Sequence, residues 1–226
     1  MRTIVICLFL AACGGSSTGD DGTPPGDGTP VDPTMRYEPW AQGNVWTYTL
    51  TDPKGVIATK TGAKTTVGAA ADVGGAHAGQ QAFLVHVEQL TGSKDVFETI
   101  DGDLDIRYES TFYDANGAVL STDVDQPFRL KLDESAAHTT TGATFSTTFT
   151  ETTDGGAPST KMENWRVVSD SEQVTVMAGT FSALHIQRTS SSGKIQDYWY
   201  VRGVGKVRET GSGAQEEELE SFTPAK

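Results

Sequence analysis

From Tyr37 to Phe222 the large apolar residues recur at every second position, and a period of two can be buried only by extended strands that turn one face to a core. Trp46, Tyr48 and Leu50 alternate with Thr47 and Thr49. Phe83, Val85 and Val87 alternate with Leu84, His86 and Glu88, and Leu104, Ile106 and Tyr108 with Asp105, Arg107 and Glu109. Phe128, Leu130 and Leu132 alternate with Arg129 and Lys131, while Phe145 and Phe149 stand in a threonine-rich run whose branched side chains suit a pleated surface. Each stretch predicts a strand with one buried and one wet face.

Tight-turn dipeptides separate these runs: Asp101-Gly102, Asn116-Gly117, Asp154-Gly155-Gly156, Ala178-Gly179 and Ser192-Gly193 each supply the positive φ that a hairpin needs. Strands joined by hairpins form an antiparallel meander, here of about ten strands, and no window of eleven residues or more shows a 3.6-residue repeat. The stretch Asp133 to His138 allows one short helix. The fold class expected is all-β: an antiparallel meander forming a strongly curved sheet, a half-barrel or a barrel, with few or no helices. Residues 37–226 suit one such domain, and a doubly wound α/β enzyme fold is disfavoured.

The N-terminus is built differently. Arg2 precedes a seven-residue apolar run, Ile4 to Leu10, too short to span a bilayer, and small residues follow. Residues 1–12 therefore read as a signal peptide. Leu10-Ala11-Ala12-Cys13 resembles the lipobox of bacterial lipoproteins, which implies cleavage before Cys13 and covalent lipidation of its thiol. The same resemblance implies membrane attachment through that lipid, in the cell envelope. With Gly14 rather than Asp after the cysteine, it favours the outer membrane. Residues 13–36 are rich in Gly, Asp, Pro and Thr and read as a disordered tether. Cys7 leaves with the signal peptide and Cys13 is consumed, so the domain retains no thiol for disulfides, thiolate metal sites or cysteine catalysis.

The formal charge of −13, one unit more negative after loss of Arg2, argues against nucleic acid and anionic surfaces as partners. The run Glu216-Glu217-Glu218 with Glu220, interleaved with Leu219 and Phe222, reads as a solvated edge strand. No motif of familiar catalysis is present, neither a G-x-S-x-G elbow nor H-E-x-x-H nor a phosphate-binding glycine loop. The four histidines lack partners at diagnostic spacing: His77 and His138 read as exposed loop residues, His86 and His185 as strand residues. Asp101, Asp103 and Asp105 read as a hairpin turn rather than a calcium loop. No catalytic, metal or cofactor-binding residue is assigned; Cys13 alone is a site.

The C-terminal third runs through Val174-Thr175-Val176, Ala178-Gly179-Thr180-Phe181, Tyr198-Trp199-Tyr200 and Gly203-Val204-Gly205. With Gly43-Asn44-Val45-Trp46-Thr47-Tyr48 as opening strand, it resembles a pattern in uncharacterised exported bacterial β proteins. Some of these are similar in fold to the half-barrels of lipoprotein carriers and receptors. That resemblance implies an apolar concavity for acyl chains. From the residues alone, Trp46, Tyr48, Trp165, Tyr198, Trp199 and Tyr200 are as well read as interior filling. The expectation is a non-catalytic envelope lipoprotein binding a protein or surface component, with a carrier of a lipid or other apolar ligand as the alternative. A hydrolase or metal enzyme ranks third.

Overall fold

The computed structural model describes residues 35–212 and 215–226, so the signal segment, Cys13 and the tether up to residue 34 lie outside the described residues. Twelve strands follow in order: β1 Val45–Thr51, β2 Lys60–Gly74, β3 His77–Glu88, β4 Ser93–Asp101, β5 Leu104–Tyr113, β6 Val119–Asp133, β7 Thr144–Thr153, β8 Ser159–Val176, β9 Gly179–Ser190, β10 Ile195–Val201, β11 Gly205–Gly211 and β12 Glu216–Thr223. Every strand pairs antiparallel with its sequence neighbours, and β1 pairs with β12 to close a barrel. The expected all-β meander is therefore present, in its closed form.

All five hairpin signals fall between strands, with Gly102, Gly117, Gly155, Gly179 and Gly193 at positive φ. Two further glycines are fixed by close approach. A Cβ on Gly92, at φ +79°, would lie 2.0 Å from the Tyr113 carbonyl oxygen, and one on Gly205, at φ +101°, would lie 2.8 Å from Trp46 Nε1.

Three expectations change. There are twelve strands rather than about ten, because β2 and β4 carry few large apolar residues: β2 buries only Ala63 and Val67 fully, β4 only Val96 and Glu98. No helix forms at 133–138, where the Asp133 carboxylate accepts the Ser135 N–H and ends the strand in a turn. Nor is β12 a solvated edge. A closed barrel has no edge, and β12 buries Glu217, Leu219 and Phe222 against β1 and β11.

Alternating strand direction gathers the β2–β3, β4–β5, β8–β9 and β10–β11 turns at one end of the barrel, with the chain entry and the C-terminus. There Ala225 donates to Asn44 Oδ1 at 2.6 Å, Arg36 donates to the Gly102 carbonyl, and Gly203 donates to the Arg36 carbonyl. Packing thus begins just before Tyr37. The opposite, distal end carries the loops after β1, β3, β5, β7 and β9.

Several strands are buried on both faces, contrary to the one-face expectation. On β5, Asp105 and Arg107 are as hidden as Ile106 and Tyr108, and on β10 Tyr198, Trp199 and Tyr200 are all buried. The extra cover comes from irregularity. Bulges bend β8 against β9, and the tip of that hairpin docks on β12 through the Ala178 N–H to the Leu219 carbonyl, 3.0 Å. The β2–β3 hairpin crosses similarly, with the His77 ring tilted against Tyr108 and bonded to the Asp125 carbonyl. Replacing the fully buried Ile186 by Ala removes packing from the second apolar cluster and should cost about 2–5 kcal/mol, read as a lowered urea midpoint with unchanged slope.

Candidate functional site

Residues from ten of the strands, together with Glu38 and Trp40, surround a central cavity of about 230 Å³. At the terminal end the segment Tyr37–Trp40 plugs it. The Tyr37 and Glu38 N–H groups donate to the Glu134 carboxylate at 3.0 and 3.1 Å, and Trp40 Nε1 donates to Asp105 Oδ1 at 3.0 Å. Towards the distal end the lining is Gln89, Lys94, Gln196 and Gln215.

This interior is ionic. Arg107 meets Asp125 at 2.7 Å; Glu163 is shared by Arg129 at 2.5 Å and Arg188 at 3.3 Å; Lys131 faces Glu98 at 3.6 Å. Lys206 lies between Glu209 at 2.5 Å and Glu217 at 2.7 Å. Aromatic faces complete the cation shells, with Arg129 over Phe149 and Arg188 over Trp165 and Tyr198. Tyr48 donates to the Lys206 carbonyl, and Trp46 Nε1 to the Val204 carbonyl.

Charge states follow from these neighbours. Burial alone would raise the Glu217 carboxyl, but Lys206 outweighs it and holds it down at about 2. Burial lowers Lys206, yet Glu209 and Glu217 bring it well above the ordinary lysine range. Burial raises Asp125, and Arg107 offsets part of that. Glu38 and Asp105 have no cation within 4 Å among the described residues; burial and mutual repulsion with Glu98 push Glu38 up to about 8 and Asp105 well above its usual range. Burial, then Lys131 and Arg107, push Lys94 down to about 8. Among the described residues Lys94 makes no ion pair.

The cavity is thus no apolar concavity. An alkyl chain placed there would displace the hydration of, or contact, charged groups on most sides, which gives an acyl ligand no favourable transfer from water.

The histidines are dispersed. His77 is buried, not an exposed loop residue, because its ring closes the β2–β3 hairpin onto Tyr108 and the Asp125 carbonyl. His138 is half-buried, stacked on Phe145 and bonded to Asp133. His86 faces outward beside Asp95 at 2.7 Å. His185 has Glu172 at 2.7 Å on Nδ1 and Asp197 at 2.9 Å on Nε2, with its ring stacked on Trp199; both bonds are donated only when both nitrogens carry hydrogen. Among the described residues no group of three or more His, Cys, Asp or Glu is placed to hold a metal ion. Asp101 and Asp103 sit at the β4–β5 turn, but Asp105 points into the interior, and Cys13 lies outside the described residues.

The interior charges escaped the sequence reading because a charged residue alternating with an apolar one reads as the wet face. The available signal was one pair of opposite sign across strands, Glu98 on β4 in register with Arg107 on β5.

No family model matches the chain, and no curated protein matches it. A solved structure that resembles it is that of a Parabacteroides distasonis protein described provisionally as a lipoprotein. The match covers 84% of this chain and 99% of that one, at 12% identity and a TM-score of 0.39.

Glu163→Ala would strand two buried arginine heads and should cost about 3–5 kcal/mol, measured by urea unfolding. The acids give a signed pH dependence. Glu38 releases its proton at about 4.3 in an unfolded chain and at about 8 in the barrel, so the fold binds the proton more tightly. Its contribution is complete below about pH 4 and is lost as pH rises through 8. Melting temperature should therefore fall between pH 5 and 8.5, and Glu38→Gln should flatten that slope. Glu217 acts oppositely, its contribution being lost as pH falls from about 4.3 towards 2.

Proposed function

We propose that this chain is a non-catalytic lipoprotein of the cell envelope, held at the outer membrane through lipid on Cys13, that binds a protein or surface component with the distal end of its barrel. The observation that carries the reading is the distribution of exposed apolar side chains. Of the nine exposed large apolar residues among those described, five, Val56 and Ile57 in the β1–β2 loop, Val119 and Leu120 at the start of β6 and Ile195 at the start of β10, sit on distal loops or strand ends, against Met35 and Met177 at the end where the chain enters and Leu84 and Met162 on the wall. The five distal residues are 81%, 41%, 61%, 64% and 42% exposed, a cost that an interaction surface explains.

The barrel wall itself supports a water-facing domain. His86 with Asp95, and Arg208 with Glu218, point outward on neighbouring strands, whereas a lipid-facing wall would present an apolar band. The interior, about 230 Å³ and lined by charged groups, is too small for a protein or surface component, so the rim is the part of the barrel able to meet one.

The test combines anchor and rim. Cys13→Ser should move the chain out of the membrane fraction. The variant Val56→Ser, Val119→Ser, Leu120→Ser should keep the wild-type circular dichroism and membrane attachment yet lose the partner captured by cross-linking in intact cells. A Cys13→Ser chain that stays in the membrane contradicts the anchor, and capture undiminished by the rim variant contradicts the binding face.

A further inference from the structure

The cavity's ion pairs leave one cation over. Lining it or paired into it are six cations, Lys94, Arg107, Arg129, Lys131, Arg188 and Lys206, against five ion-paired carboxylates, Asp125, Glu163, Glu98, Glu209 and Glu217; the two other lining acids, Glu38 and Asp105, pair with no cation among the described residues, and burial and repulsion from Glu98 favour their protonated, neutral forms. Each of the five other cations touches one of these carboxylates; Lys94 touches none among the described residues. The cavity reaches the distal end beside Lys94, where Gln89, Gln196 and Gln215 also line it, the Gln196 amide donating to Glu209 at 2.9 Å and the Gln215 amide to Glu217 at 2.8 Å. Deeper in, Arg129 Nε is buried without a hydrogen-bond partner.

We propose that the barrel interior binds a small monocarboxylate, entering from the distal end, with Lys94 as its counter-ion and with the Gln89 amide and the second N–H of the Gln196 and Gln215 amides as hydrogen-bond donors. A monoanion restores neutrality inside the barrel, whereas a phosphate dianion would overshoot by one charge and leave an uncompensated anion in a partly desolvated space. The volume, about seven or eight waters at 30 Å³ each, admits a short-chain or single-ring acid and excludes a fatty acid. This site is independent of the rim surface proposed above.

The surroundings of Lys94 suit such a ligand. The groups that act on Lys94 are Glu98 on its own strand, Arg107 on β5, Lys131 on β6 and Glu217 on β12, and both carboxylates are already engaged by other lysines. Burial, and after it the charges of Lys131 and Arg107, oppose its ammonium form and bring it down to about 8. A bound carboxylate favours the ammonium form, so affinity should fall as pH rises through 8 and binding below that pH should take up protons.

The test uses the full chain in nonionic detergent, titrated at pH 6.5 with acetate, propionate and benzoate, with propionamide, benzamide and equal chloride as controls. Expected is a ligand-dependent rise in melting temperature for at least one acid and for none of the controls. Lys94→Met should be more thermostable than wild type without ligand, and should weaken binding by about tenfold or more, the usual loss for a charge-assisted hydrogen bond. Absence of a shift with all three acids, a shift reproduced by chloride, or a shift that persists undiminished in Lys94→Met overturns the proposal. If Lys94→Met fails to fold, carboxyl-labelled propionate observed by carbon NMR on the wild-type chain decides. A bound signal displaced by benzoate supports the site, and none at saturating propionate refutes it.

Discussion

The pairing of β1 with β12 closes the sheet, and once it is closed the inward side chains of twelve strands share a space that water enters only at the ends. A twelve-strand ring is too wide for ordinary apolar residues to fill it completely. In this chain the remaining width is taken by arginines, lysines and carboxylates that reach across the interior to each other, with aromatic faces between them. Desolvation makes each charge dependent on its partner. The packing of β4, β5, β6, β9, β11 and β12 around the lumen is therefore coupled through Glu98, Arg107, Arg129, Arg188, Lys206 and Glu217 as much as through backbone ladders.

Such an interior differs from an apolar core in what it permits. Apolar side chains tolerate exchange for others of similar volume; a paired charge does not tolerate loss of its mate. The clusters around Trp46 and around Ile106 supply the non-directional stabilisation, and the ion pairs specify which residues face each other across the barrel. The plug from Tyr37 to Trp40 joins both systems. Tyr37 packs in the second cluster, while Trp40 bonds Asp105 and Glu38 lines the cavity beside Glu98. Entry of the chain and closure of the lumen are one feature.

The strand pattern and the five hairpin glycines made the antiparallel meander legible before any coordinates, since period-two burial and positive φ are local properties. What local pattern does not carry is the sign of a face. Arg129 and Lys131, flanked by Phe128, Leu130 and Leu132, look like solvated residues of a two-faced strand, yet they point into the barrel while Leu130 is buried on the other side. The inversion arises from closure and from the hairpins that fold over the outside, both set by contacts distant in sequence such as Ala178 with Leu219. His77 was misread for the same reason, its ring being buried by β5 rather than by its own neighbours in the chain. Glu217, in a run of acids, gave no hint that Lys206 would hold it.

The charge balance inside the barrel rests on Lys94, the one lumen cation without a carboxylate among the described residues. Its titration in the full chain, followed by NMR at the side-chain nitrogen with Lys94→Met to assign the signal, examines that balance directly. A midpoint near 8 accords with a desolvated lysine facing Arg107 and Lys131. A midpoint at about 10.4, the value of a solvated lysine, would mean that Lys94 is hydrated or paired and that the interior holds no uncompensated charge.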